Sequence, residues 1–140
     1  MTATAPEKRI LDLLEADAGV SAIVGTDIYT PNFPAAPTIP GIIFFVQAGA
    51  SSSITGLRSV SIQTHCYAAR SLLARTLHEA VRTAFLGDFT DQAAHHAVLR
   101  GFDISLIQEE QEGQPLPFDP DGPDKGTPVM LGFWTVWFLD

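Results

Sequence analysis

The chain has 140 residues, of which 46% are hydrophobic and 17% are charged, and this composition is typical of one folded domain that can bury its own core. Eight lysine and arginine residues stand against 16 aspartate and glutamate residues, so the formal net charge is −8. This excess of acid argues against a nucleic-acid-binding protein, because phosphate binding requires a cationic surface.

The sequence also lacks signals for secretion or membrane insertion. Its single cysteine, Cys66, cannot form an intramolecular disulfide, and residues 1–7 lack the basic and apolar regions of a secretion signal. The longest apolar stretches, 39–46 and 129–139, are shorter than the ~18–20 residues of a membrane-spanning helix. We therefore expect a cytoplasmic protein without a membrane segment, with Cys66 as a small core residue.

The first predicted elements are a short amphipathic helix and an irregular connector. Ile10, Leu13 and Leu14 recur at helical spacing shortly after Pro6, a residue that is well suited to the first turn of a helix. Residues 20–24 then predict a further apolar turn. Four prolines between Tyr29 and Gly41 exclude regular strand pairing and predict an extended crossing.

A β-hairpin is predicted next. Residues 42–46 are β-branched and aromatic, and the segment 57–67 places alternate residues on two faces. Its apolar face consists of Val60, Ile62, Thr64 and Cys66. The Gly- and Ser-rich residues between the two strands predict a flexible hairpin tip at 48–57.

A second helix and two further strands complete the predicted fold. The helix is indicated by a wide apolar stripe that ends at Gly87 and consists of Leu73, Leu77, Val81 and Phe85. A polar linker at 88–94 precedes two predicted strands, at 98–107 and 129–139. The prediction is an α+β domain of order α-β-β-α-β-β, with a four-stranded, mainly antiparallel sheet and two helices packed on one face. Because the last strand carries aromatic residues on both faces, we expect a partner, such as a neighbouring subunit, to cover the second face.

Most of the net charge lies in one segment near the end of the chain. Residues 101–128 hold seven acids and one base. The part at 110–127 is also rich in proline and glycine, which excludes a helix or a central strand. We therefore predict a single domain, 1–140, with a long acidic loop at 110–127 between its last two strands.

The sequence contains no motif that indicates catalysis or metal binding. His95 and His96 are adjacent and do not have the i,i+4 spacing of a chelating pair. His65 and His78 are expected to be solvated or hydrogen-bonded, and residues 119–124 fail the ligand pattern of a calcium loop. We expect no catalytic residue, no cofactor site and no metal site, and therefore a protein that is not an enzyme.

Several segments follow one another in a recognisable order and spacing. In the first half these are LLEADAGV at 13–20, IVGTDIY at 23–29 and GIIFFV at 41–46. They are followed by TGL at 55–57, QTHCYAA at 63–69 and the helical segment 74–85. This order resembles the tail completion, or tail terminator, proteins of long-tailed bacteriophages and gene-transfer particles. The resemblance covers residues 10–86 and resumes in the closing strands at 101–109 and 129–138.

The resemblance implies a structural role in a virus-like particle. It implies a homo-oligomeric ring, typically a hexamer, that caps the head-proximal end of the tail tube, stops polymerisation of the tube protein and docks the tail to a head-tail connector or stopper protein. DNA would pass through this ring without specific binding, and the protein would reside in the tail or neck of the virion after assembly in the bacterial cytoplasm. The acidic segment at 110–127 departs from the family pattern, so no family role is carried over to it.

Two surface segments are candidate sites for this role. A tube end offers unpaired strands that the hairpin tip could cover by strand addition, and its candidate partner-binding residues are Ser51, Ser52, Ser53, Ile54 and Thr55. Negative charge along a channel would repel DNA phosphates. The candidate acids of the lumen or its mouth are Glu109, Glu110, Glu112, Asp119 and Asp121.

The sequence leaves two other functions open. A head-tail connector or stopper ring of the same particle would share the size, acidity and ring assembly. The other function is that of a small cytoplasmic ligand-binding domain, with Phe133, Trp134 and Trp137 lining its pocket.

Overall fold

The computed structural model describes residues 5–30, 38–51, 57–116 and 127–139. Within these ranges, four helices pack on one side of a five-stranded sheet. The helices are α1 (Pro6–Ala16), α2 (Ala18–Val24), α3 (Ser71–Leu86) and α4 (Gln92–Arg100). The strands are β1 (Ile28–Tyr29), β2 (Gly41–Ser51), β3 (Leu57–Tyr67), β4 (Ile104–Leu116) and β5 (Val129–Leu139).

The sheet has the spatial order β1-β2-β3-β5-β4. The short strand β1 runs parallel to β2, and the other neighbouring strands are antiparallel. The α+β class and the helices on one face are as predicted. The predicted numbers of elements, four strands and two helices, are wrong, because the described residues contain one more strand and two more helices.

The additional elements in the first half are α2 and β1. The residues predicted as an apolar turn at 20–24 belong to α2, whose first turn is capped by the Asp17 carboxylate accepting from Val20 N at 3.0 Å. Strand β1 consists of two residues, Ile28 and Tyr29, that pair with β2. So short a strand has no periodicity of its own, since only its pairing defines it.

The other additional helix corrects the predicted linker at 88–94 and the predicted start of a strand at 98. Helix α4 occupies Gln92–Arg100, and its N-cap, Asp91, accepts from Ala94 N at 3.0 Å. The chain turns after α4, and β4 begins at Ile104. Only the last three residues of the predicted linker, 92–94, are helical; α4 begins there because the Asp91 carboxylate caps its first turn, and Leu99 is its buried residue.

The predicted hairpin pairing is present, since β2 and β3 are antiparallel neighbours. Strand β3 has the predicted bounds, whereas β2 is longer than predicted at the tip, because Gly49, Ala50 and Ser51 pair with Val60, Ser59 and Arg58. The remaining residues of the predicted tip, 52–56, lie outside the described residues.

Strand β4 corrects the start of the predicted acidic loop. It continues to Leu116, so residues 110–116 form part of a strand and not of a loop. Gly113 and Pro115 are accommodated because β4 is the last strand in the sheet order and its register with β5 shifts at three places. The rest of the predicted loop, 117–126, lies outside the described residues.

The main core lies between the helices and the sheet. It joins residues from all four helices to the inner face of the sheet. Its largest fully buried side chains are Trp134, Phe44, Phe85 and Phe138. Cys66 is also buried in this core, as predicted, and burial raises the pKa of its thiol. No helix within the described ranges is long and apolar enough to cross a membrane.

Candidate functional site

The sheet face opposite the helices, which we call the open face, is rich in aromatic side chains. In β5, Trp134, Val136 and Phe138 belong to the main core, so the alternating residues Phe133 and Trp137 lie on the open face. Both are half-buried. A sheet face with this much partly covered aromatic surface is suited to contact another protein.

A second apolar cluster lies at one end of the open face. Ile43, Tyr67 and Val129 are buried there, from β2, β3 and β5. The partly buried residues packed against them are Tyr29, Ile39, Phe45 and Leu131. This end of the open face is therefore covered within the protein itself, whereas the half-buried residues Phe133 and Trp137 lie outside the cluster.

Polar groups run along β3 on the same face. Gln63 Nε2 donates to His65 Nε2 at 2.9 Å, and the His65 ring meets Phe45 edge-on at a centroid distance of 5.2 Å. His65 is thus hydrogen-bonded, in line with the sequence-based expectation. Thr135 Oγ1 donates to the Glu110 carboxylate across β5 and β4. The open face therefore combines aromatic surface with fixed polar positions, a mixture typical of protein interfaces.

The candidate acids of β4 do not share one surface. The Glu110 carboxylate lies on the open face, where it accepts from Thr135. The Glu109 carboxylate lies on the helix side, where Arg82 Nε donates to its two oxygens at 3.1 and 3.3 Å. Glu112 also lines the helix side, in a groove with α3. Asp119 and Asp121 lie outside the described residues.

The candidate partner-binding residues of the hairpin are only partly described. Ser51 is the last residue of β2 and pairs with Arg58. Ser52, Ser53, Ile54 and Thr55 lie outside the described residues. Their predicted role in partner binding stays a prediction.

A charged groove lies between α3 and the edge strand β4. It encloses about 420 Å³ and is lined by Arg75, His78, Glu79, Arg82, Glu109, Glu112, Gly113 and Met130. This groove was not predicted from the sequence, because it depends on the pairing of β4 beside β5 under α3. The local sequence signal for it is the set of charged residues Arg75, Glu79 and Arg82 in α3.

His78 lies at the base of this groove and corrects an expectation. It was expected to be solvated or hydrogen-bonded, but its residue is 1% exposed and its Nδ1 has no hydrogen-bond partner among the described residues. The ring stacks at a tilt on Trp134, with 5.8 Å between centroids. Burial lowers the pKa of His78, and the nearby carboxylates of Glu79 and Glu109 only partly offset that effect.

The aromatic residues proposed for a ligand pocket do not converge. Trp134 is 1% exposed and points to the helices, where its Nε1 donates to Thr64 Oγ1 at 3.0 Å. Phe133 and Trp137 lie on the opposite face of the sheet. The alternation of side chains along one strand separates them, so these three residues do not line one pocket.

The adjacent histidines of α4 have separate surroundings. His95 Nε2 bonds to the carbonyl oxygen of Phe85 at 2.8 Å, near the end of α3. His96 is half-buried on the neighbouring position of the helix. Within the described ranges, no group of three His, Cys, Asp or Glu side chains is placed to hold a metal ion.

These features define an α+β domain with one helix-covered and one open sheet face. No protein-family model and no curated protein matches the sequence. The structure is similar to a chain in a solved structure described as the virion of a native gene transfer agent (GTA) particle, with 18% sequence identity and a TM-score of 0.55. The alignment covers 96% of this chain and 95% of that chain. At this identity the likeness establishes a shared fold, and it extends over nearly the whole length of both proteins.

Proposed function

We propose that this protein is a structural component of a phage-like particle, and specifically a tail terminator. In this role copies of the chain form a ring on the head-proximal end of the tail tube, stop its polymerisation and present a surface for the head connector. The observation that carries the proposal is the fold shared with a chain of a gene transfer agent virion over 96% of this protein. The order of sequence segments along residues 10–86 supports it from a separate direction.

The open face supports the assembly part of the proposal. A closed ring requires heterologous contacts, in which one surface of each copy meets a different surface of the next. The open face is structurally unlike the helix-covered face, so the two sides of the protomer offer different surfaces. Phe133 and Trp137 supply large, rigid contact area on the open face. We therefore propose homo-oligomerisation, with a hexamer as the expected ring.

The hairpin supports the tube-capping part. Strands β2 and β3 are antiparallel neighbours up to the pair of Ser51 and Arg58, with a register shift between Val46 and Gly49. We propose that Ser51 and the tip residues Ser52–Thr55 contact the tail tube protein and satisfy strand edges at its end. A covered edge cannot accept the next tube subunit.

The acidic surface fits a ring through which DNA passes. With a net charge of −8, the protein repels phosphate groups at distances up to about a Debye length, ~8–10 Å. Because Glu109 and Glu112 lie on the helix side and Glu110 on the open face, the acids of β4 would border the lumen from two sides of the strand. In this proposal the protein acts as a mechanical component and not as an enzyme, and no cofactor takes part.

The first test of this function asks whether the protein binds the tail tube or the head of the particle. The purified protein is incubated separately with tail tubes and with portal-bearing heads, each assembled from proteins of the same particle, and bound protein is located by gold labelling. A terminator labels one end of the tube, whereas a connector or stopper ring labels the heads. Label on heads alone would indicate a connector and contradict the terminator function. Label on neither structure would contradict both functions.

A further inference from the structure

The His78 side chain is enclosed by two glycines of the sheet. A Cβ atom built on Gly113 of β4 would lie 2.5 Å from His78 Nε2, and one built on Gly132 of β5 would lie 3.0 Å from His78 Cε1. A side chain on Gly113 would overlap the imidazole, and one on Gly132 would crowd it while overlapping Thr64 Oγ1 and Trp134 Nε1, at 2.5 and 2.8 Å. The ring of His78 therefore packs closely against both β4 and β5.

The surroundings of the imidazole favour its neutral form over its cation. The residue is 1% exposed, it stacks on Trp134 at 5.8 Å, and its Nδ1 atom is buried without a hydrogen-bond partner among the described residues. A buried imidazolium would need an acceptor for each N–H group. Proton uptake at this position therefore requires local movement.

The charged side chains around His78 belong to its own helix, α3, and to the edge strand β4. Helix α3 contributes Arg75, Glu79 and Arg82, and β4 contributes Glu109 and Glu112. The residues that β5 places against the ring are Met130, Gly132 and Trp134, which carry no charge. Of the charged side chains that line the groove with His78, three are carboxylates and two are arginines, so an imidazolium exposed there would face an excess of negative charge.

We propose that His78 is an acid-sensitive latch: when it is protonated, the distal part of β4 from Gln111 to Leu116 separates from α3. This inference does not depend on the proposed virion role. It concerns the attachment of one edge strand to one helix.

The distal part of β4 is the element that moves, because its pairing with β5 is less regular than the pairing of β5 with β3. Its register with β5 shifts between Glu109 and Gln111 and again between Gln111 and Gln114, so Gly113 lies in an irregular stretch. Gly132, in contrast, lies in a regular pair with Thr64 between two long strands. Movement of Gly113 would widen the groove beside the ring, whereas movement of Gly132 would disrupt the centre of the sheet.

The direction of the pH effect follows from the number of protons bound in two states: the closed state, in which β4 packs on α3, and the opened state, in which its distal part has separated. Burial lowers the pKa of His78 below its ordinary value of 6.5, so the opened state binds more protons than the closed state. The closed state is fully favoured above pH 6.5 and loses this advantage as the pH falls below that value.

Amide hydrogen exchange of the intact protein tests the latch. Exchange is measured near pH ~7.5 and near pH ~5.5, corrected for the intrinsic rate, in the unmodified protein and in the variants His78→Phe and His78→Gln. His96→Gln is the matched control, since it removes a histidine outside the groove. We expect a several-fold loss of protection at pH ~5.5 that is confined to residues 111–116 in the unmodified protein and in the His96 variant.

Either His78 variant is sufficient, so the test stands if one of them fails to fold. The proposal requires that the acid-induced loss of protection in residues 111–116 is absent in a folded His78 variant. Unchanged protection of β4 in the unmodified protein would overturn it, as would a loss that persists without His78 or that spreads evenly over the sheet. None of these outcomes bears on whether the protein binds tail tubes.

Discussion

Strand β5 carries two tryptophans, three residues apart, that lie on opposite faces of the sheet. Trp134 is 1% exposed, donates to Thr64 Oγ1 and meets the ring of Phe85 edge-on at 5.0 Å. Trp137 is half-buried on the open face. Trp134 thus stabilises the fold, while Trp137 leaves part of its ring open to solvent. The same residue type in one strand thus stabilises the fold on one face and, in our proposal, contributes to assembly on the other.

The largest expected effect is on the helix-covered face. Trp134→Ala removes a fully buried side chain together with its contacts to α3, and we expect a loss of about 3–5 kcal/mol in the free energy of unfolding. Urea denaturation followed by far-ultraviolet circular dichroism measures this loss. A decrease below about 1 kcal/mol would contradict the central position of Trp134 in the core.

Loss of the acceptor for the Trp134 hydrogen bond should reduce the free energy of unfolding by a smaller amount. Thr64→Val keeps the shape of a residue that is 0% exposed but leaves the indole N–H without its acceptor. The expected cost is about 1–3 kcal/mol. Thr64→Ser is the matched control, since it retains the hydroxyl group, and it should lose less stability than the valine variant. Equal losses in both variants would indicate that packing of the methyl group dominates.

A substitution on the open face should affect assembly more than folding, in contrast to one on the helix-covered face. Trp137→Ser removes a half-buried side chain, so we expect a loss of about 1–2 kcal/mol in protomer stability. If the open face forms the ring contact, the variant should remain folded but sediment as a protomer at concentrations where the unmodified protein is a ring. Analytical ultracentrifugation separates the two species. An unchanged ring would remove Trp137 from the proposed interface.

The smallest expected effect is that of the ion pair in the groove. Arg82 and Glu109 are 37% and 17% exposed at their side chains, so solvent screens their attraction, and we expect a coupling energy of about 0.5–1 kcal/mol. A double-mutant cycle with Arg82→Gln and Glu109→Gln measures this coupling. A value above about 2 kcal/mol would show that the groove is less hydrated than its exposure indicates.

The sequence predicted the elements whose pattern is strong. Strand β3 and strand β5 alternate over 11 residues each, and α3 carries a wide apolar stripe, so periodicity alone locates them. Helix α4 was missed because a single buried leucine, Leu99, gives little periodicity, although Asp91 was an available capping signal. Strand β1 and the distal part of β4 were missed because their strand conformation depends on the neighbouring strands.

The spatial arrangement of the candidate residues could be predicted less completely than the fold. The sequence grouped Glu109, Glu110 and Glu112 by their proximity in the chain, but they divide between two faces of β4. It also grouped Phe133, Trp134 and Trp137, which the strand separates. His78 was interpreted from its polarity, whereas its surroundings depend on Gly113 and Gly132, which are distant in sequence from it. A site that combines residues of several strands depends on the register in which these strands pair, and this register cannot be read from the sequence.

The most direct measurement of the central claim is the growth of tail tubes. Tube protein from the same particle is polymerised with and without this protein, and the length distribution and the position of a gold label are recorded by electron microscopy. The tail terminator account predicts label at one end only and growth that stops at the labelled end, with Ser52→Asp in the hairpin weakening the arrest. Tubes that lengthen equally in its presence, or label distributed along their sides, would contradict the account.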